Sequence, residues 1–301
     1  MDCICIESWS ISESLTTTGS REKRWFVSPS SFTGESELFL FKESKDVYPL
    51  EFWSEIIAHE FGKLIDIKTP ETYCAKYGQK YGALTRIFTK SNINELMHGG
   101  DLMLSIRPDF DRIRGRMHNI YDIGQLLDPK SELFRNFCKI LIFDALIGNI
   151  DRHQDNWGII IVTSEADLLF QIAPAFDNGN SFGREIEDSE IEKYLSKNSV
   201  TLERYINRGR PHLRWSTDGK HLEHLNHHDF LFKLCNQYPF IIEDIINLTA
   251  FSDEQVHEML KNAYETQIEI PRFAMTQMRI DFMKTLLTTR RNMLMGLALS
   301  L

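Results

Sequence analysis

The sequence predicts an α+β fold in two lobes, a small β-rich lobe over residues 1–90 and a larger helical lobe over residues 91–301. Three observations carry that expectation. The chain has 301 residues, twice the roughly 150 that one domain commonly takes. Its first lobe alternates short apolar runs with turn residues around a single helical pattern, whereas most of the remainder has helical spacing. No repeat with a period of about 20–50 residues is present, which excludes a solenoid.

Each element follows from its own residues. Residues 25–27 and 38–41 read as strands on either side of the turn-rich stretch 28–34. Pro49 opens a helix in which Phe52, Trp53, Ile56, Ile57, Phe61, Leu64 and Ile65 recur at near-helical spacing. Glu51, Glu55, His59 and Lys63 fall elsewhere on that wheel, and Pro70 ends the region. Residues 72–77 and 81–88 flank Gly78-Gln79 and predict a hairpin. The mixed stretch 89–128, with Gly99-Gly100, is expected to join the lobes. Ser131 then caps a helix that runs to Ile147, favoured by Glu132 at its positive end and closed by Gly148. That helix is apolar on nearly every side and so belongs in the centre of a lobe. Residues 157–162 and 168–173 read as two strands around a polar turn, and a closing amphipathic helix covers about 278–297.

Composition narrows the function. Apolar residues make up 42% and charged residues 26%, an ordinary globular mix. The net charge of −9 disfavours direct binding to nucleic acid or to an anionic membrane. Five scattered cysteines suit a reducing compartment, and Cys3 and Cys5 match neither a zinc knuckle nor a redox pair. The start Met1-Asp2-Cys3 lacks the basic stretch of a secretory signal. The most apolar run, 140–150, is too short to span a bilayer and carries Asp144. A soluble, cytoplasmic protein is expected. His221, His224, His227 and His228 read as a solvated or capping stretch, with no second cluster to close a metal site.

The chemistry lies in Asn149-Ile150-Asp151-Arg152-His153-Gln154-Asp155-Asn156, between the buried helix and the hairpin, and in Phe176-Asp177-Asn178-Gly179-Asn180 just after it. In antiparallel strands, the residue before the first and the residue after the second lie at the same end. Asp151 and Asn156 should therefore face Asp177 across one small space. Two carboxylates and a carboxamide form an oxygen-rich site for Mg²⁺ with phosphate, the parts that phosphoryl transfer needs. The bland alternative is a capped loop in which these side chains only satisfy backbone N–H groups. The buried helix before the loop, the hairpin after it and the following Phe-Asp-Asn-Gly favour the chemical reading. Lys42 adds to it, ending an apolar strand where a charge otherwise has little reason to lie.

These two runs resemble the HipA-like kinases, protein serine/threonine kinases distantly related to the phosphoinositide-kinase type of fold. Thr18-Gly19-Ser20-Arg21-Glu22-Lys23 is similar to the family's phosphate-loop segment, and Leu40-Phe41-Lys42 to its lysine-bearing strand. Trp53-Ser54-Glu55 looks like the start of the helix behind that lysine. Met97-His98-Gly99-Gly100-Asp101-Leu102 and the closing Arg290-Arg291 also match. The resemblance implies a protein-kinase-like fold that uses ATP with Mg²⁺ or Mn²⁺. Asp151 would be the catalytic carboxylate, with His153 orienting its loop, and Asn156 and Asp177 the metal ligands. Gly19 and Ser20 would approach the nucleotide phosphates. Lys42 would touch them and Glu55 would hold Lys42, although Glu60 lies on the same helix and its rotation decides between the two. One glycine among Thr16, Thr17, Thr18 and Ser20 departs from the eukaryotic G-x-G-x-x-G pattern. The family's habit implies autophosphorylation at Thr18 or Thr16, or at Ser10 or Ser12 in a Ser-Ile-Ser run.

With the phosphate loop inside the first twenty residues, the chain resembles a compact HipT-type toxin that lacks the N-terminal subdomain of longer members. That branch implies a separate HipS-like chain, a HipB-like DNA-binding antitoxin and an aminoacyl-tRNA synthetase as substrate. A secreted HipA-like effector kinase exported to a host cell is the alternative. A lipid or small-molecule kinase of phosphoinositide-kinase type is a second alternative, against which the sequence shows no basic patch for an anionic head group. A pseudokinase acting as an interaction protein has no need of Lys42, Asp151, Asn156 and Asp177 together.

Overall fold

A computed structural model describes residues 1–12, 23–90, 93–163, 167–196 and 200–301. Its N-terminal lobe is one sheet built from β1 (Ile4–Cys5), β2 (Ser10–Ile11), β3 (Lys23–Val27), β4 (Leu38–Glu43), β5 (Thr72–Tyr77) and β6 (Lys80–Arg86). The spatial order is β1-β5-β6-β4-β3-β2, with β1 parallel to β5 and every other pair antiparallel. Alternation along β4 assigns the two faces. Phe39 and Phe41 are buried with Phe26, Leu84, Ile6 and Trp9 in a small core on one side. Leu40 and Lys42 point to the other, where the register sets Trp25 and Thr85 beside Leu40, and Lys23 beside Lys42.

A single turn, α1 (Ser30–Thr33), links β3 to β4, and α2 (Glu51–Leu64) links β4 to β5. Phe52, Trp53, Ile56, Ile57 and Phe61 are buried as their spacing predicts, but Glu51 and Glu55 are buried too. Partners explain this: Glu51 Oε1 lies 2.9 Å from Arg184 Nη1 and Glu55 meets Lys42. Trp53 Nε1 donates to Phe273 O at 2.8 Å and Ser54 Oγ to Ser181 O at 3.1 Å, so α2 is bolted to the helical lobe.

The chain enters that lobe through β7 (Asn94–His98), a strand whose residues give no alternation in sequence. It pairs with β8 (Gly158–Thr163), which pairs in turn with β9 (Leu168–Ile172). The hairpin expected at 157–173 is thus the larger part of a three-stranded sheet. Between β7 and β8 come α3 (Gly99–Ile106), α4 (Ile120–Leu127) and α5 (Glu132–Ile147). Ser131 Oγ accepts from Phe134 N to start α5, and Gly148 ends it in the left-handed region at φ +73°. After β9 follow α6 (Glu192–Leu195), α7 (Val200–Arg208), α8 (His227–Gln237), α9 (Phe240–Leu248), α10 (Asp253–Tyr264) and α11 (Gln277–Ser300). The main core runs from α2 through α5 into α8 to α11. No helix among the described residues is long and apolar enough to cross a membrane.

Candidate active site

The cleft face of the first sheet meets the loops at either end of the β8–β9 hairpin around a hollow of about 490 Å³. Trp25, Leu40, Ile87, Phe88 and Phe176 supply apolar wall, while Lys42, Glu55, Asn156 and Asp177 supply the polar groups. Size does not single it out, since a hollow of about 540 Å³ lies between the start of α5 and β9. The side chains do. A flat apolar wall beside an ammonium and an oxygen-rich end suits a purine base carrying phosphates.

Lys42 is the hub. Its Nζ donates to Glu55 Oε1 at 3.1 Å and to Asp177 Oδ1 at 3.0 Å. Burial alone would lower the ammonium's pKa, but the two carboxylates outweigh it and raise the value above the usual lysine range. Glu55 also accepts from Asn178 N through Oε2 at 2.9 Å, fixing the backbone beside Asp177. Glu60, the other acid on α2, pairs with Lys63 at the surface, so the rotation of the helix gives Lys42 to Glu55. Asp177 itself has φ +57°, a left-handed conformation that aspartate tolerates better than most residues.

The loop after α5 is held from beneath by a residue that sequence reasoning passed over. Arg152 and Asp144 are each only 1% exposed. Arg152 Nε donates to Asp144 Oδ2 at 2.9 Å and Nη2 to Asp144 Oδ1 at 2.7 Å. The same guanidinium reaches Asn156 O, Phe176 O and Asn178 Oδ1, so one side chain ties both loops to α5. Burial raises the Asp144 pKa against the pull of Arg152. A carboxylate inside an otherwise apolar helix, with an arginine eight residues on, was the available signal.

Other contacts give the Gly99-Gly100 segment a reason. Gly99 N donates to Trp157 O at 2.9 Å and Gly100 N to Gln154 O at 2.8 Å, while His98 Nδ1 donates to Asp155 O at 3.0 Å. A Cβ on Gly99 would overlap the Trp157 ring. His153 lines the cleft and its Nδ1 accepts from Asp155 N at 3.1 Å, which leaves the proton of the neutral ring on Nε2. Asn156 Nδ2 donates to Asp151 O at 2.8 Å, leaving the oxygen end of the carboxamide for the cleft. With the Asp177 carboxylate opposite, this donor set fits a hard divalent cation bound together with phosphate.

Asp151 departs from expectation. Asn156 and Asp177 line the cleft, but Asp151 does not. Its carboxylate is 39% exposed and stands 3.4 Å from His212 Nε2. Burial holds His212 below the usual histidine range despite the attraction of Asp151. Arg152 ties the loops at the two ends of the hairpin together, and the turn in which Asp151 N donates to Asn149 Oδ1 at 3.0 Å aims Asp151 outward. That orientation suits a group that meets a second substrate from solvent. Ser10 lies in edge strand β2, and Ser12 N donates to Trp25 O at 2.9 Å. Thr16, Thr18, Gly19 and Ser20 lie outside the described residues.

Fold and family define the class as HipA-like. A family model described as the HipA-like C-terminal domain matches residues 15–208, more than half of the chain, and the chain belongs to that family. Serine/threonine-protein kinase CtkA of Helicobacter pylori is 25% identical over 228 residues, 69% of this chain and 67% of that protein. The crystal structure of the Helicobacter pylori proinflammatory kinase CtkA shares the fold, with a TM-score of 0.78 at 21% identity. That likeness covers 99% of this chain and 97% of that one. HipA of Shewanella oneidensis, solved with HipB and operator DNA, gives a TM-score of 0.51 at 10% identity over 94% of this chain and 64% of that one.

Proposed function

We propose that this protein uses ATP with Mg²⁺ or Mn²⁺ to phosphorylate serine or threonine hydroxyls of a protein. The observation that carries the reading is Lys42 held between Glu55 and Asp177 at the end of a cleft that Asn156 also lines. Bound nucleotide and metal supply the γ-phosphoryl group and the neutralising charge. Lys42 directs its ammonium at the nucleotide phosphates, and Glu55 keeps it there. Asn156 and Asp177 hold the cation. Asp151 orients the acceptor hydroxyl and takes its proton, with His153 shaping the loop that carries it. Gly19 and Ser20, outside the described residues, are the counterparts of the family's phosphate loop and would cradle phosphate. In this reading residues 1–90 bind mainly the nucleotide and residues 91–301 carry the chemistry.

The likeness to CtkA, a kinase described as proinflammatory, supports the alternative of an effector kinase. The likeness to HipA, solved with HipB and operator DNA, supports a toxin role with a HipB-like antitoxin; in the compact branch a separate HipS-like chain and an aminoacyl-tRNA synthetase target would go with it. Autophosphorylation near the phosphate loop, at Thr16, Thr18, Ser10 or Ser12, would place about −1.5 to −2 charge beside the nucleotide and lower its affinity. Incubation with γ-labelled ATP and Mg²⁺, followed by phosphopeptide mapping of wild type and Asp151→Asn, tests the reading. Label on serine or threonine in wild type alone is expected. Label in neither protein nor in any added protein substrate would remove the reading.

A further inference from the structure

We infer that the surface beside Asp151 selects acidic protein substrates, through the arginines of residues 204–214. The inference rests on the proposed role of Asp151 as the group that meets the acceptor hydroxyl.

Backbone bonds lock the segment that follows α7 against that loop. His212 N donates to Ile150 O at 3.2 Å, Arg214 N to His118 O at 2.9 Å, and Ile120 N to Arg214 O at 3.1 Å. Gly209 lies against the Ile150 side chain, and His212 Nε2 stands 3.4 Å from Asp151 Oδ1. A peptide whose hydroxyl reaches Asp151 therefore comes up beside this segment.

Its charge runs against that of the chain. Residues 200–214 carry four arginines, Arg204, Arg208, Arg210 and Arg214, and a single acid, Glu203, in a protein of net charge −9. Arg204, Arg208 and Arg210 are exposed and Arg214 is half-buried. Elsewhere arginines such as Arg107, Arg135 and Arg279 each hold a carboxylate. Arg208, Arg210 and Arg214 enter no ion pair with any described residue. Nor do they line the nucleotide cleft, so their charge is not spent on ATP. Exposed guanidinium groups on a fixed backbone pair bidentately with carboxylates and steer an acidic partner to the site. The Asp151 carboxylate alone would repel such a partner, and the arginines oppose that repulsion.

The test uses the full chain, saturating Mg-ATP and serine peptides that differ only in their flanks: Asp/Glu, neutral, phosphoserine or Lys/Arg. Wild type should favour the acidic over the basic peptide at least tenfold in kcat/KM, mainly through KM. The doubly reversed Arg208→Glu/Arg210→Glu should invert that order, and Arg208→Gln/Arg210→Gln should flatten it if the reversal folds poorly. Lys130→Glu, an exposed change at the opposite end of α5, should leave activity and preference as in wild type. A strong gain for phosphoserine over Asp/Glu would assign the arginines to primed substrates within the same anionic class. Transfer to acidic and basic peptides alike, or a wild-type preference unmoved by both double variants, would overturn the inference while leaving the kinase reading intact. Transfer to no acceptor, the chain itself included, would remove both.

Discussion

Lys42 Nζ stands 3.0 Å from Asp177 Oδ1, joining β4, one of the two central strands of the first sheet, to the loop that follows β9 in the other lobe. With Glu55 at 3.1 Å on its other side, the ammonium is aimed where a nucleotide's phosphates would lie. Lys42→Met keeps the aliphatic stem and removes the charge. Nucleotide affinity or turnover should fall at least tenfold, about 1.4 kcal/mol or more, in titrations with labelled ATP. Lys45→Met, three residues on and exposed, should be nearly silent. Equal effects from the two substitutions would break the link between this ion pair and the nucleotide.

Arg152 and Asp144 form a buried ion pair beneath both site loops. Asp144→Asn leaves the guanidinium charged and short of its counter-charge in the core, a situation that commonly costs about 3–5 kcal/mol. Urea denaturation should show that loss as a lower midpoint. Residual transfer should fall as well, because Arg152 also holds the Phe176 and Asn156 carbonyls. A variant as stable as wild type would mean that the pair contributes nothing to the fold.

His118 predicts an acid-sensitive core. The ring is fully buried, and its Nε2 accepts from Trp157 Nε1 at 3.0 Å. Burial, helped by His153 and His212, pushes its pKa down to about 3. An unfolded histidine titrates near 6.5, so below that pH the unfolded chain takes up a proton that the folded chain refuses. Stability from this group is complete above about pH 6.5 and is lost as the pH falls towards 3. Between pH 7 and pH 5 that amounts to about 2 kcal/mol. The stability gap between wild type and His118→Gln should narrow by this much in denaturant titrations at the two pH values. A constant gap would contradict the burial argument.

What could be read from the sequence had a periodic or chemical signature. The 14-residue α2 and 16-residue α5 announced themselves by apolar spacing, and α5 also by Ser131 and Gly148 at its ends. Asp151, Asn156 and Asp177 stood out because a polar loop, a hairpin and a second polar loop imply convergence. Strand β7 did not, because Asn94-Glu95-Leu96-Met97-His98 takes its conformation from pairing with β8 rather than from its own pattern. Arg152 was hidden for a similar reason. Asp144 inside an apolar helix hints at a partner, but nothing local says that the remaining donors of Arg152 meet two loops. The outward turn of Asp151 towards His212 depends on a segment some sixty residues away, which no local pattern reports.

The central claim is that Asp151 and Asp177 serve different steps at one site, and comparing their amide variants tests it most directly. Labelled phosphate transfer to protein hydroxyls and Mg-dependent nucleotide binding are measured on wild type, Asp151→Asn and Asp177→Asn. Asp151→Asn should abolish transfer while binding nucleotide as wild type does, since its carboxylate faces the acceptor side and lines no part of the cleft. Asp177→Asn should lose transfer and also weaken Mg-dependent binding, because its carboxylate sits at the phosphate end beside Lys42. Wild-type transfer by Asp151→Asn, or nucleotide binding unchanged by Asp177→Asn, would contradict the account.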